Sequence, residues 1–130
     1  MIFGLGIDII EIERIRQSIE KFGDKFLEKV FTEGEITYCK SKADQYQHFA
    51  ARFAAKEAVS KSLSDLWKSE YGWKHIEIIN NEKGKPEAVL TGALGENAYQ
   101  NLDIHISISH SHNYACCVAI TQMSGGKDDR

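Results

Sequence analysis

The sequence predicts an α+β domain in which an antiparallel β-sheet packs against one long central helix, with shorter helices around it. Three observations lead there. The opening residues, MIFGLGIDII, are apolar and rich in β-branched side chains, as a buried strand requires. Residues 44–67 carry alanine, phenylalanine, valine and leucine around most of a helical circumference, the pattern of a helix packed on more than one side. Further on, Ile104, Ile106 and Ile108 alternate with His105, Ser107 and Ser109, the period of a strand with one covered face.

The elements follow in order. Residues 2–10 form the first strand. Ile12, Ile15, Ile19 and Phe22 then recur at helical spacing, with Gly23 as the C-terminal cap and Arg14 off the stripe, facing outward. A short helical stretch covers 26–31. Thr32 followed by Glu35 has the form of a capping box for a helix running to about Ser41. The longest helix spans 44–67, with Ala51, Ala55, Ala58, Val59, Ser62, Leu63 and Leu66 on one side. Phe49, Ala50, Phe53 and Ala54 fill much of the other side in its first half. Phe53, Glu57 and Lys61 stand at i, i+4 and i+8, so an acid and a base lie in that second face. That face must meet another part of the fold or another subunit. Residues 74–80 and 87–91 read as strands joined by NNEKGKP, with Gly84 as the flexible point. A short helix over 95–102, a strand over 103–109, a turn at HSHN and a last strand over 114–121 complete one domain of residues 1–121. The polar tail 122–130, QMSGGKDDR, is ready to fray.

Composition narrows the class. A chain of 130 residues with 42% hydrophobic and 27% charged residues is a soluble globular domain. Its net charge of -3 offers no electrostatic footprint for nucleic acid. No apolar run approaches the length of a membrane span, and the N-terminus lacks the basic start of a secretory signal. Three cysteines, two of them adjacent (Cys116 and Cys117, besides Cys39), make no disulfide framework. A reducing cytoplasm is the expected location.

Few residues carry chemistry. Asp8 is an acid inside an apolar strand, and a buried carboxylate is costly unless paired, hydrogen-bonded or bound to metal. Its bland role is to cap the helix that starts near Glu11. Glu57 sits among alanines beside Phe53, four residues before Lys61; its bland role is an i, i+4 ion pair. Two carboxylates from separate elements with lysines nearby suit magnesium, which takes one or two protein carboxylates and further ligands from water and phosphate. Lys61 and Arg52 then neutralise phosphate charge, the arginine in a bidentate way. EKGKP is by itself an ordinary solvated turn, although a glycine between lysines lets backbone approach a phosphorylated ligand. His105, His110 and His112 with Cys116 and Cys117 raise zinc, but adjacent residues of one strand point to opposite sides, which argues against it. Other readings of the same residues are a different magnesium-dependent nucleotide or phosphate enzyme, and an interaction module whose carboxylates merely cap and pair.

Three blocks resemble one family. GIDII at Gly6 to Ile10, continuing to Glu13 and Arg14, FAARFAAKEAVSKSL at Phe49 to Leu63, and ISISHSHNYACCVAI at Ile106 to Ile120 are similar to the signatures of the holo-acyl-carrier-protein synthases. These are the small bacterial class of 4′-phosphopantetheinyl transferases. With GKP at Gly84 to Pro86, the likeness spans nearly the whole chain in order. The resemblance implies that fold, and transfer of 4′-phosphopantetheine from coenzyme A to a serine of apo-acyl carrier protein, with release of adenosine 3′,5′-bisphosphate, in support of fatty acid biosynthesis. It implies magnesium held by Asp8 and Glu57, and Lys61 near the coenzyme A diphosphate. Arg52, Gly84, Pro86, Ser109 and His110 fall where the family contacts the nucleotide half. Arg14 lies on the helix that docks the carrier protein, and the assembly is a homotrimer with active sites between subunits. Ser60 and Ser62 stand where the family often has alanine, Cys116 and Cys117 replace a more usual alanine and valine, and Glu11, Glu13 and Glu20 dilute the charge around Arg14.

Overall fold

The computed structural model describes residues 1–63, 72–96 and 101–123. Strand β1 (Ile2–Glu11) leads directly into α1 (Ile12–Phe22), α2 (Asp24–Val30), α3 (Glu33–Lys40) and the long α4 (Gln45–Leu63). A 3-10 turn at Trp73–His75 precedes β2 (Ile76–Asn80) and β3 (Pro86–Leu90), then α5 (Gly92–Glu96), β4 (Leu102–His110) and β5 (Tyr114–Met123). The strands form two antiparallel sheets, one ordered β1-β5-β4 and a smaller pair β2-β3.

The three-stranded sheet places α4 through two glycines. β1 pairs with β5 with Ile7 opposite Val118 and Asp8 opposite Cys117, so alternate residues share a face. Gly4 and Gly6 lie on the Asp8 side, against α4. A Cβ built on Gly4 would sit 1.8 Å from the Ser62 carbonyl oxygen, and one on Gly6 2.0 Å from that of Ala58. Absent side chains therefore let the helix backbone rest on the strand backbone. Beyond that contact Ala54, Ala55, Ala58, Val59 and Leu63 share a core with Ile76, Ile78, Ile106 and Ala119. The opposite side of α4 is filled by the chain itself: Phe49, Ala50 and Ala51 join Ile15, Leu27, Phe31 and Cys39 from α1, α2 and their neighbours. The doubly packed helix thus meets another part of its own fold.

Three neighbouring apolar side chains left bare belong to the three-stranded sheet. Leu5, Ile7 and Ile9 are 64%, 67% and 64% exposed. They face away from α4 beside the partly covered Cys116, Val118 and Ile120 of β5.

Several predicted boundaries move. The capping box forms as expected: Thr32 Oγ1 accepts from the Glu35 N–H at 3.2 Å and Glu35 Oε1 from the Thr32 N–H at 2.8 Å. Phe22, expected on the covered stripe of α1, is exposed, with the Lys21 ammonium 5.3 Å from its ring centre. It lies at the helix end, beyond the elements that cover Ile15. The strand expected from residue 74 begins at Ile76, because the His75 N–H bonds the Gly72 carbonyl and tightens this segment into a 3-10 turn. The helix expected over 95–102 begins at Gly92, held at φ 60°, and residue 102 already pairs in β4. The last strand extends to Met123, whose N–H bonds the Met1 carbonyl at 3.0 Å, so the first two residues of the expected tail are paired. The end expected for the central helix, 64–67, and the tail from 124 lie outside the described residues. No helix among the described residues is long and apolar enough to cross a membrane.

Candidate active site

The face of β1 that carries Gly4 and Gly6 continues to Asp8. Because α4 runs antiparallel along it, Ser62, Ala58 and then the Glu57–Lys61 flank of the helix pass over these positions in turn. Lys61 Nζ donates to Asp8 Oδ1 at 3.1 Å and to the Ile7 carbonyl at 3.0 Å. Glu57, one helical turn earlier, is half-buried. Its carboxyl is raised above the ordinary range, first by burial and then by the nearby Asp8 charge, with Lys61 opposing. The two acids and the lysine therefore occupy one electrostatic site.

Neither bland role for these residues is found. The N-cap position of α1 is Glu11, with no side-chain capping bond, so Asp8 is not a cap. The i, i+4 partner of Glu57 turns to Asp8 instead. Glu57 has no hydrogen bond to its carboxylate among the described residues. Two adjacent carboxylates sharing one lysine leave a site short of positive charge. Hard oxygen donors from two elements fit magnesium. Among the described residues no group of three or more His, Cys, Asp or Glu side chains is poised to hold a metal, so a cation held by these two would need its other ligands from water or substrate.

The remaining candidates fall elsewhere. Arg52 lies nine residues before Lys61, which at about 100° per residue puts the two on opposite sides of α4. Arg52 is 4% exposed. Its guanidinium carbon sits 4.1 Å from the Tyr38 ring centre, and its Nη2 donates to Asn80 Oδ1. Its buried Nε has no partner among the described residues. Asn80 in turn donates to the Gly84 carbonyl at 2.9 Å, tying this arginine to the Gly84–Pro86 turn, where Gly84 takes φ 83°. His110, at the end of β4, is close enough for its charge to lower His48, though burial and then Arg52 lower that ring more. Ser109 is exposed on the sheet face opposite α4, across from Cys116. Arg14 is exposed on α1, as expected. Arg16 bonds both Glu13 and Glu20, which occupies two of the acids that dilute the charge near Arg14.

Sequence reading missed one structural centre. Lys56 and Glu35, each fully buried, pair at 2.7 Å. Lys56 Nζ also donates to the carbonyls of Trp73 at 3.0 Å and Ile76 at 2.5 Å, while Glu35 Oε2 accepts the Ile78 N–H at 2.7 Å. This pair fastens α3, the 3-10 turn and β2 to α4 one residue before Glu57. The signal was present in a lysine inside the helix packed on both sides. Ser62 is explained too: its hydroxyl meets that of Thr121 at 2.6 Å, joining α4 to β5.

Known proteins share this fold. The family model described as the 4′-phosphopantetheinyl transferase superfamily matches residues 4–119. The holo-[acyl-carrier-protein] synthase of Chlamydia trachomatis serovar D is 47% identical over 123 residues, which cover 92% of this chain and 99% of that protein. Among solved structures, a holo-(acyl-carrier-protein) synthase from Bacillus anthracis in complex with CoA (3′,5′-ADP) is 36% identical with a TM-score of 0.76, covering 95% of this chain and 99% of that one. The Helicobacter pylori holo-[acyl-carrier-protein] synthase in complex with coenzyme A is 34% identical with a TM-score of 0.78, over 91% and 99%. By that match and that identity the chain belongs to the 4′-phosphopantetheinyl transferase superfamily, in its holo-[acyl-carrier-protein] synthase branch.

Proposed function

We propose that this chain transfers the 4′-phosphopantetheine group of coenzyme A to a serine of apo-acyl carrier protein in support of fatty acid biosynthesis. The observation that carries the reading is the convergence of Asp8, Glu57 and Lys61 where α4 rests on the glycines of β1. In the reaction the serine oxygen forms a bond to the β-phosphorus, the bond from that phosphorus to the bridging oxygen breaks, and adenosine 3′,5′-bisphosphate leaves. Asp8 and Glu57 would hold magnesium, which when bound supplies charge stabilisation at the diphosphate. The protein contributes position and electrostatics, as in other phosphoryl transfers. Lys61 offsets charge growing on the leaving phosphate. Glu57 is the chain's own candidate to accept the serine proton, with a water on the cation as the alternative.

Arg52, Gly84 and Pro86, on the far side of α4, together with His110 near His48, suit the nucleotide half of coenzyme A, and Ser109 is the least well placed of the group. Their separation from Asp8 within one chain supports a homotrimer in which the site is completed by a neighbour. The bare sheet face of Leu5, Ile7 and Ile9 supplies a surface for that contact. Arg14 serves carrier docking. The three free cysteines, with burial pushing Cys39 and Cys117 up to about 12, suit the reducing cytoplasm.

Incubation with apo-carrier, coenzyme A and magnesium, read by intact mass, tests the proposal. The carrier gains one phosphopantetheine, and Asp8→Ala or Glu57→Ala lowers the rate at least about 100-fold with the melting curve retained. Full activity of both variants at low magnesium refutes the metal assignment. Arg14→Glu raises KM for the carrier and not for coenzyme A; equal rises remove the docking role.

A further inference from the structure

The two lysines of the central helix are held very differently. Lys56 is fully buried, with three fixed acceptors. Lys61 is 53% exposed on its side chain and makes two contacts, Asp8 Oδ1 and the Ile7 carbonyl. An ammonium has three donors, so one remains directed to solvent. With the lysine head open to solvent, though Asp8 itself is only 18% exposed, the contact exchanges far more readily than the buried Lys56 pair. Yet its position is the one a metal bound by Asp8 needs, since Lys61 neutralises the same oxygen.

We propose that Lys61 is a tethered cation that occupies Asp8 in the free protein and moves to the diphosphate of coenzyme A when it arrives, so that the divalent cation and the diphosphate bind cooperatively. The inference rests on Asp8 and Glu57 being the metal ligands. Charge balance supplies the reason. Asp8, Glu57 and Lys61 sum to one negative charge, so a divalent cation entering alone meets an acid already neutralised and an ammonium that repels it. A diphosphate offers the ammonium new acceptors and clears Asp8. Coupling of this kind is reciprocal: the cation strengthens diphosphate binding by the same factor. The flexible stem and exposed head of Lys61 permit the exchange, and the buried, three-fold anchored Lys56 cannot take part.

The test counts free manganese by its electron paramagnetic resonance signal, with manganese as the visible divalent cation. Wild type, Lys61→Met, Lys61→Arg and Asp8→Asn are each titrated alone and with saturating coenzyme A. Without coenzyme A, Lys61→Met binds manganese about threefold tighter than wild type, the strength of one exposed pair, and Lys61→Arg stays near wild type. The gain in manganese affinity on adding coenzyme A is smaller in Lys61→Met than in wild type. Equal or weaker manganese binding by Lys61→Met alone, or an unchanged coenzyme A effect, overturns the exchange. Asp8→Asn matching wild type in every titration overturns instead the metal reading beneath it.

Discussion

Gly6→Ala is the sharpest probe of how this fold makes its site. The added methyl would lie 2.0 Å from the Ala58 carbonyl oxygen and 2.9 Å from the Lys61 Cβ, where real contacts essentially never fall below 3.0 Å. Backbone lies on both sides of the shorter contact, so no side chain can swing away. Strand and helix must separate by about 1 Å. Overpacking of this kind costs about 1–3 kcal/mol, and each kcal/mol lowers Tm by roughly 4 °C in a domain of this size. The functional loss is larger than the stability loss, because the same shift carries Glu57 and Lys61 away from Asp8, and a 1 Å misplacement costs about 100-fold in rate. Circular dichroism melts and initial rates of carrier mass gain, both measured well below Tm, separate the two effects. Gly23→Ala is the control: its backbone, unlike that of Gly6, is left-handed at φ 60°, but nothing lies within 4 Å of the added methyl. It loses about 1–3 kcal/mol to backbone strain and keeps its rate. A Gly6→Ala protein with the melting point and rate of wild type refutes the claim that α4 is seated on β1 by the missing side chain.

Three further outcomes are expected. Lys56→Met leaves the buried Glu35 carboxylate without its cation and destabilises the fold by about 3–5 kcal/mol. Adding Glu35→Gln, whose oxygen still accepts from Ile78 N–H, recovers part of that loss in denaturant unfolding, and a double variant weaker than the single one contradicts the stranded-charge account. Glu57 has a folded pKa above its unfolded one, so the stability attached to its protonated form is complete below the unfolded value and lost as pH rises through the folded one. Glu57→Gln therefore melts higher than wild type at pH 8 without metal, and the difference closes near pH 4; a variant that melts lower at pH 8 reverses the sign. Ile7→Lys places a charge at the centre of the exposed sheet face. Sedimentation then shows the proposed homotrimer reduced to a monomer, and an assembly unchanged from wild type locates the interface elsewhere.

Much of this protein was legible along the chain because its signals are local. The alternation of Ile104, Ile106 and Ile108 fixed both the strand and its covered face, which the register with β5 reproduces. Thr32 and Glu35 specified a helix start through hydrogen bonds spanning three residues. Asp8 and Glu57 stood out because a carboxylate among isoleucines or alanines carries an energetic cost wherever it is folded.

Tertiary structure decided what those residues do to one another. A capping glutamate and a helix lysine, 21 positions apart, become one buried pair only when α3 and α4 pack. Arg52 and Lys61 share a motif, yet the helical turn sends them to opposite sides, so proximity in sequence becomes separation in space. Local propensity reports the conformation of each segment. Which charges neutralise each other depends on distances through space, and here two missing side chains, at Gly4 and Gly6, set those distances by letting a helix lie directly on a strand.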